Sequence, residues 1–299
     1  MKKLLSGGEA YAVSAALLWG VNYPYVKVVL QELPESQFMI IRFIASVLLL
    51  VGYLLVSGED LSVERRHLGR ILLLGMAGVG LYNILWTCGI HRTTAANAAL
   101  LISTSPIITA IYSVASGREK VSPATWQGAG LAFSGVYLII SHTPGGEVSL
   151  SSTLFAGNLL VLTGSFLFAM YGILAKPLLD SYSPVKLTTL AMLGGLPVLL
   201  AYHLLQGGGL ALADIPSATW LGLAFIVVFG TIVAFAFWYK GIKQATPVRA
   251  TLFHFIVPVT SMALGTAFLG EPVVAGQLAG AGMVLAGLII VKLKPNAGR

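Results

Sequence analysis

Trp19, Asn22 and Tyr23 fall at i, i+3 and i+4 of one apolar run, the spacing that brings three side chains to one side of a helix. Tyr82 and Trp86 sit at i and i+4 with Asn83 adjacent, Phe168 pairs with Tyr171, and Asn97, Thr104 and His254 interrupt runs that are otherwise apolar. Rings, amides and hydroxyls so arranged can stack on a small neutral solute, bury it and hydrogen-bond its ends. Polar side chains in hydrocarbon are costly unless they face a partner or water, so these faces are expected to point inward. The candidate substrate-binding residues are Trp19, Asn22, Tyr23, Tyr82, Asn83, Trp86, Asn97, Tyr171, Trp238 and His254.

Catalysis is not expected of them. The chain has no H-E-x-x-H, no G-x-S-x-G and no paired aspartates for a metal diphosphate, so neither a catalytic residue, a metal nor a cofactor is expected. All eleven carboxylates (Glu9, Glu32, Glu35, Glu59, Asp60, Glu64, Glu119, Glu147, Asp180, Asp214 and Glu271) fall at the ends of apolar runs or between them. A proton or sodium relay normally needs an acidic group at mid-depth. The interior should therefore be near neutral and suit a zwitterion or an uncharged solute. His254 is the central residue of a type whose ordinary titration lies near neutrality, and both a hydrogen-bonded histidine and a proton carrier fit it.

Other residues are expected to shape the protein. Pro106 and Pro258 lie mid-helix, each removing an N–H and freeing the carbonyl four residues back, at Ile102 and His254, which makes them candidate hinges. Arg42 lies some six residues inside its run, close enough to the outer surface for the guanidinium to snorkel. It is read as structural, with a substrate carboxylate as the alternative partner. Glu119 and Glu271 open or precede helices, where a carboxylate next to free N–H groups is a cap. Trp126 and Trp220 open helices as interfacial residues do, whereas belt and cavity roles compete for Trp86 and Trp238. The lone Cys88 reads as a small buried hydrophobe.

The elements that position these residues follow from composition. With 299 residues, 57% hydrophobic, 10% charged and a mean hydropathy of +0.87, the chain carries more apolar surface than a soluble domain can bury, so its partner is the lipid bilayer. The net charge of +7 does not indicate nucleic acid, because the basic residues flank apolar runs. Ten spans are predicted near 10–30, 36–57, 71–91, 94–116, 123–142, 153–176, 186–206, 218–240, 247–269 and 274–292. Lys2 and Lys3 precede an apolar run broken by Asn22, Pro24 and Lys27, which reads as an uncleaved first helix. Of the 18 Lys and Arg residues, only Lys27, Arg42 and Arg92 fall on one side of this arrangement, so both termini are expected in the cytoplasm.

The chain also repeats itself. Moved forward by 152 positions, Gly78, Trp86, Gly89, Thr94, Pro106, Glu119, Gly128 and Gly135 fall on Gly230, Trp238, Gly241, Thr246, Pro258, Glu271, Gly280 and Gly287. The front of the unit repeats more faintly at a register of about 149, with Lys27 over Lys176. The first repeat is placed at 1–146 and the second at 147–299. Five helices per repeat is an odd number, so the second copy enters the membrane inverted, and a site between inverted halves can open to either side in alternating access. Gly276 and Gly280, matched by Ala124 and Gly128, have the small-xxx-small spacing of closely packed helices.

Leu18-Trp19-Gly20, Arg42, Pro106 followed by Gly117-Arg118-Glu119 and Gly128, and the echo Pro258, Leu269-Gly270-Glu271-Pro272 and Gly280 resemble the EamA family of the drug/metabolite transporter superfamily. Within it the chain looks most like bacterial inner-membrane amino-acid exporters of the YddG type. That resemblance implies export of small neutral solutes, amino acids including aromatic ones, across the bacterial inner membrane. Export of another metabolite or drug is the alternative within the superfamily, and an intramembrane lipid-modifying enzyme is the rival from another class. A facilitator, an exporter driven by its substrate's gradient and a proton antiporter lacking an acidic carrier share this pattern.

Overall fold

The computed structural model describes residues 6–93, 95–142, 148, 154–210, 212, 215–269 and 273–293. All regular structure among them is helical. The α-helices are α1 (Gly7–Glu32), α2 (Glu35–Val56), α3 (Arg65–Gly75), α4 (Tyr82–His91), α5 (Ala95–Ile102), α6 (Ser105–Ala115) and α7 (Pro123–Ser141). They continue with α8 (Phe155–Leu178), α9 (Pro184–Leu205), α10 (Ser217–Phe225), α11 (Ala234–Gln244), α12 (Pro247–Leu252), α13 (Ile256–Leu269) and α14 (Ala275–Leu293). A π-helical segment, Met76–Leu81, joins α3 to α4, and another, Ile226–Val233, joins α10 to α11.

Eight helical stretches among the described residues are long and apolar enough to cross a membrane: Glu35–Val56, Arg65–Gly89, Asn97–Ala115, Phe155–Leu178, Pro184–Leu205, Ser217–Gln244, Pro247–Ala267 and Ala275–Leu293. The other long helices are α1, whose apolar run is diluted by Asn22, Pro24 and Lys27, and α7, diluted by Gln127 and small residues. Both pack within the bundle, α1 against α10, α11 and α13, and α7 along α14. Leu48, Leu55, Leu221, Leu278 and Ile289 are exposed, an apolar exterior of the kind lipid covers. The helix predicted from 71 begins at Arg65. Hydropathy marks where hydrocarbon ends, whereas helical hydrogen bonding continues through the polar turn Arg65-Arg66-His67.

Local chemistry sets the ends. Ser6 and Glu9 form a reciprocal capping box on α1, and Ser122-Pro123, Ser183-Pro184 and Thr246-Pro247 each open a helix with a side-chain cap followed by proline. After α6, Gly117 takes φ 67°, a left-handed value that stops the helix.

The two π-helical segments carry Gly78 and Gly230, and each receives a large side chain from elsewhere in the bundle. A Cβ on Gly78 would lie 2.2 Å from the Tyr171 ring, and one on Gly230 would lie 2.3 Å from Asn22 Oδ1. Helices α7 and α14 touch backbone to backbone at two places. A Cβ on Gly128 would come within 2.5 Å of the Gly287 carbonyl oxygen, and a Cβ on Gly135 within 2.5 Å of that of Gly280. The expected small-residue contact thus runs through Gly128, Gly135, Gly280 and Gly287, while Gly276 faces the His142 ring.

Candidate functional site

Trp19 is the hub of a cluster of rings contributed by α1, α4, α8, α11 and the 3-10 turn Phe253–Phe255. Its ring centroid lies 5.3 Å from Trp238, 5.3 Å from His254, 5.4 Å from Phe235 and 6.0 Å from Phe168. Phe168 stacks on Trp238 at 5.6 Å and meets Tyr82 at 5.4 Å, while Tyr171 stacks on Tyr239 at 5.2 Å. The α-helical spacing of Trp19 and Asn22 on α1, of Phe168 and Tyr171 on α8, and of Phe235 and Tyr239 on α11 aims all three faces at one place. The rings touch, so the cluster is closed. An apolar pocket of about 170 Å³ lies beside it, with Gly78, Met170 and Tyr171 in its lining.

Polar groups inside the cluster are incompletely paired. Trp238 is fully buried and its Nε1–H has no hydrogen-bond acceptor, and Asn22, 8% exposed, leaves Oδ1 without a donor. A buried polar group without a partner costs about 1–3 kcal/mol. His254 Nδ1 lies 3.5 Å from Ser105 Oγ, the remainder of its ring being packed by Trp19, Phe168 and Trp238.

Arg42 departs from the snorkelling geometry expected of it. Its Nε donates to Thr231 Oγ1 at 2.6 Å, and the Thr231 hydroxyl donates to the Ile226 carbonyl at 2.9 Å. The guanidinium lies 5.1 Å from the Phe43 ring and 5.9 Å from that of Phe38. In a π-helical turn residue i+5 lies over residue i, so the Thr231 hydroxyl reaches back to the Ile226 carbonyl, and its oxygen accepts from Arg42.

The structure therefore gathers Trp19, Tyr82, Tyr171, Trp238 and His254, with Asn22 one helical turn from Trp19 against Gly230. Other expected site residues lie apart from the rings. Asn83 donates Nδ2 to the Val79 carbonyl of its own helix at 2.7 Å, and Asn97 donates to Asn158 Oδ1 at 2.9 Å. Trp86 is half-buried beside Gly164. The Tyr23 side chain and Glu271 lie outside the described residues. Phe235, Tyr239 and Thr231 are the additions, and the aromatic run Phe235-Ala236-Phe237-Trp238-Tyr239 was the available signal for the first two.

Pro106 is the second residue of α6, directly after the break that ends α5, and Pro258 is the third residue of α13, after the 3-10 turn. The Ile102 carbonyl, four residues before Pro106, accepts from Ser165 Oγ at 3.2 Å. Glu119 caps α12 rather than its own neighbour α7, accepting from the Val248 N–H at 3.3 Å. Burial pushes its carboxyl above the ordinary carboxylate range, against the opposing pull of Thr246 and the Val248 N–H. Glu9, buried at the start of α1, accepts from Lys292 and pairs with Arg249 at 3.5 Å.

A profile of the EamA-like transporter family matches residues 6–141 and again 155–293. The chain belongs to that family. Relatives within reach of it by sequence are also described as transporters. The uncharacterized transporter YyaM of Bacillus subtilis (strain 168) is 27% identical over 277 residues, covering 92% of this chain and 90% of the relative. An uncharacterized transporter of Archaeoglobus fulgidus is 30% identical over 284 residues, covering 92% and 95%. The uncharacterized inner membrane transporter YedA of Escherichia coli (strain K12) is 25% identical over 283 residues, covering 93% and 88%. A solved crystal structure superposes with a TM-score of 0.83 at 17% identity over 96% of each chain, which establishes a shared fold. This EamA-family protein is thus a multi-pass membrane transporter.

Proposed function

We propose that this transporter exports small neutral solutes, amino acids including aromatic ones, by alternating access between two inverted five-helix halves, 1–146 and 147–299. Ten helices cross the membrane on this reading, α1 and α7 included, with both termini in the cytoplasm. Two reciprocal contacts support the inverted arrangement. Exchanging each residue for its repeat partner turns the Gly128–Gly287 contact into Gly280–Gly135, and the Asn22–Gly230 contact into Tyr171–Gly78. The α7 and α14 contacts are antiparallel, so an axis exchanging them lies across the helices and hence in the membrane plane. The family profile's two matched stretches fit the same division.

The closed ring cluster with unpaired Asn22 Oδ1 and Trp238 Nε1 carries the substrate reading. An aromatic amino acid entering between the halves would stack on Trp19 and satisfy groups that are otherwise unpaired. The mid-depth surroundings hold aromatic and amide groups, consistent with a zwitterion. Pro106 and Pro258 act as hinges, because both sit just after a break in a helix.

Uptake of labelled tryptophan and threonine into proteoliposomes, at symmetric and asymmetric pH, tests the reading. Wild type should carry both without dependence on the pH gradient, and Trp19→Ala should weaken tryptophan more than threonine. Pro106→Ala and Pro258→Ala should slow turnover with substrate affinity nearly intact. Flux that follows the pH gradient and is abolished by His254→Ala alone would replace the reading with a histidine-coupled antiporter, and unchanged flux in the double proline variant would dismiss the hinges.

A further inference from the structure

Arg42 and Asn22 sit against successive residues of one π-helical segment, Thr231 and Gly230. Thr231 is near the middle of the Ser217–Gln244 stretch, so the half-buried Arg42 turns its guanidinium from the start of α2 toward the middle of that stretch. A guanidinium has five N–H donors, and Arg42 uses Nε for Thr231. Among the described residues no carboxylate forms an ion pair with it; Glu9 and Glu64 take the ion pairs found there. A cation at that depth without a carboxylate counter-ion marks a site. On the adjacent residue, Asn22 is more than nine-tenths buried with Oδ1 unpaired.

The chemistry offered is a fork of donors at one residue of the segment and a lone acceptor at the next. An α-amino acid zwitterion has the complement, a carboxylate beside an ammonium with three N–H donors. We propose that Arg42 and Asn22 together read the backbone of an α-amino acid, the guanidinium holding the carboxylate and the amide oxygen the ammonium, with the side chain directed to Trp19. This rests on the amino-acid reading above and deepens it by assigning the residues that recognise the substrate class. Trp19 is one helical turn before Asn22 on α1, so a ring attached to the held backbone meets the aromatic cluster. The pseudo-equivalent junction offers nothing comparable: Arg42 corresponds to Ala191 at a register of 149, and Thr231 to Val79 at 152. One reader of this kind gives the substrate one orientation.

Calorimetric titration of the purified full-length transporter in detergent with tryptophan, tryptophan methyl ester and 3-indolepropionate tests the assignment. The ester lacks the carboxylate and the indolepropionate lacks the ammonium. Wild type should bind tryptophan roughly ten-fold or more tighter than either analogue, the scale of a hydrogen bond to a charged group. Arg42→Gln should bring tryptophan down to the ester and leave the ester unchanged, and Asn22→Ala should bring it down to the indolepropionate. Arg42→Lys, which keeps the cation, should retain part of the preference over the ester and guards against misfolding of the glutamine variant. Equal losses for tryptophan and ester in either Arg42 variant, or a wild type that binds the two alike, overturns the assignment while leaving amino-acid transport standing. A wild type that binds neither tryptophan nor any other amino acid overturns both.

Discussion

The two π-helical segments occupy matched places in the chain and meet unlike neighbours. The first is sealed by backbone: a Cβ on Gly75, just before it, would lie 2.4 Å from the Ala191 carbonyl oxygen, one on Gly195 would lie 2.8 Å from that of Gly75, and Gly78 is covered by Tyr171. The second receives polar side chains, Arg42 on Thr231 and Asn22 on Gly230, and leaves hydrogen-bonding capacity unused. One geometry therefore supports two roles. Where small residues let helices approach to backbone contact, dispersion holds the junction, and the pocket beside Gly78 is apolar. Where polar side chains fill the junction, a donor fork and an amide oxygen are left without protein partners among the described residues.

Breaking the sealed junction should have the largest effect. Gly75→Leu places a side chain where carbonyl and backbone carbon atoms of α9 already lie within 3 Å of the Cβ position, atoms that cannot rotate away. Overpacking of this kind costs about 1–3 kcal/mol or more, which a melting curve of the detergent-purified protein would register as a fall of several degrees. A wild-type melting temperature would mean that the junction is loose and the contrast drawn here is wrong.

Gly230→Ala probes the polar junction and should be milder for stability but harmful to transport. The added methyl meets Asn22 Oδ1 at 2.3 Å, the end of a side chain that can turn aside, so the bundle survives while the amide leaves its place. Comparing melting temperature with tryptophan uptake in the same preparation separates the two effects. Loss of both in proportion would assign Gly230 the same sealing role as Gly75.

The smallest effect concerns the contact of Glu119 with α12, remote from both junctions. Burial raises its carboxyl above the usual 4.5, so the protonated form is favoured in the folded protein. Stability from this shift is present below pH 4.5 and is lost as pH rises through the raised value. Glu119→Gln, which keeps an acceptor for the Val248 N–H, should flatten the dependence of melting temperature on pH in that window. An unaltered pH profile would show that Glu119 titrates as an ordinary exposed carboxylate.

The sequence by itself determined the environment and the family. Apolar runs the length of a bilayer can satisfy their backbone only as helices, so Glu35–Val56 or Phe155–Leu178 are legible without knowledge of any neighbour. The paired Pro, Glu and Gly spacing carried the family resemblance because it is local to each copy. Part of the site was legible for the same reason, since Trp19 with Asn22, and Phe168 with Tyr171, share a face by helical spacing alone. Tertiary structure decided which faces meet. Arg42 and Thr231 are 189 residues apart, and no periodicity within either helix says that a guanidinium near one end of α2 turns to the middle of the stretch containing α10 and α11. Asn83 and Asn97 looked equivalent to Asn22 in sequence, yet one spends its amide on its own helix and the other on Asn158. An amide's role depends on whether a partner stands within hydrogen-bonding distance, and that distance exists only once the helices have packed.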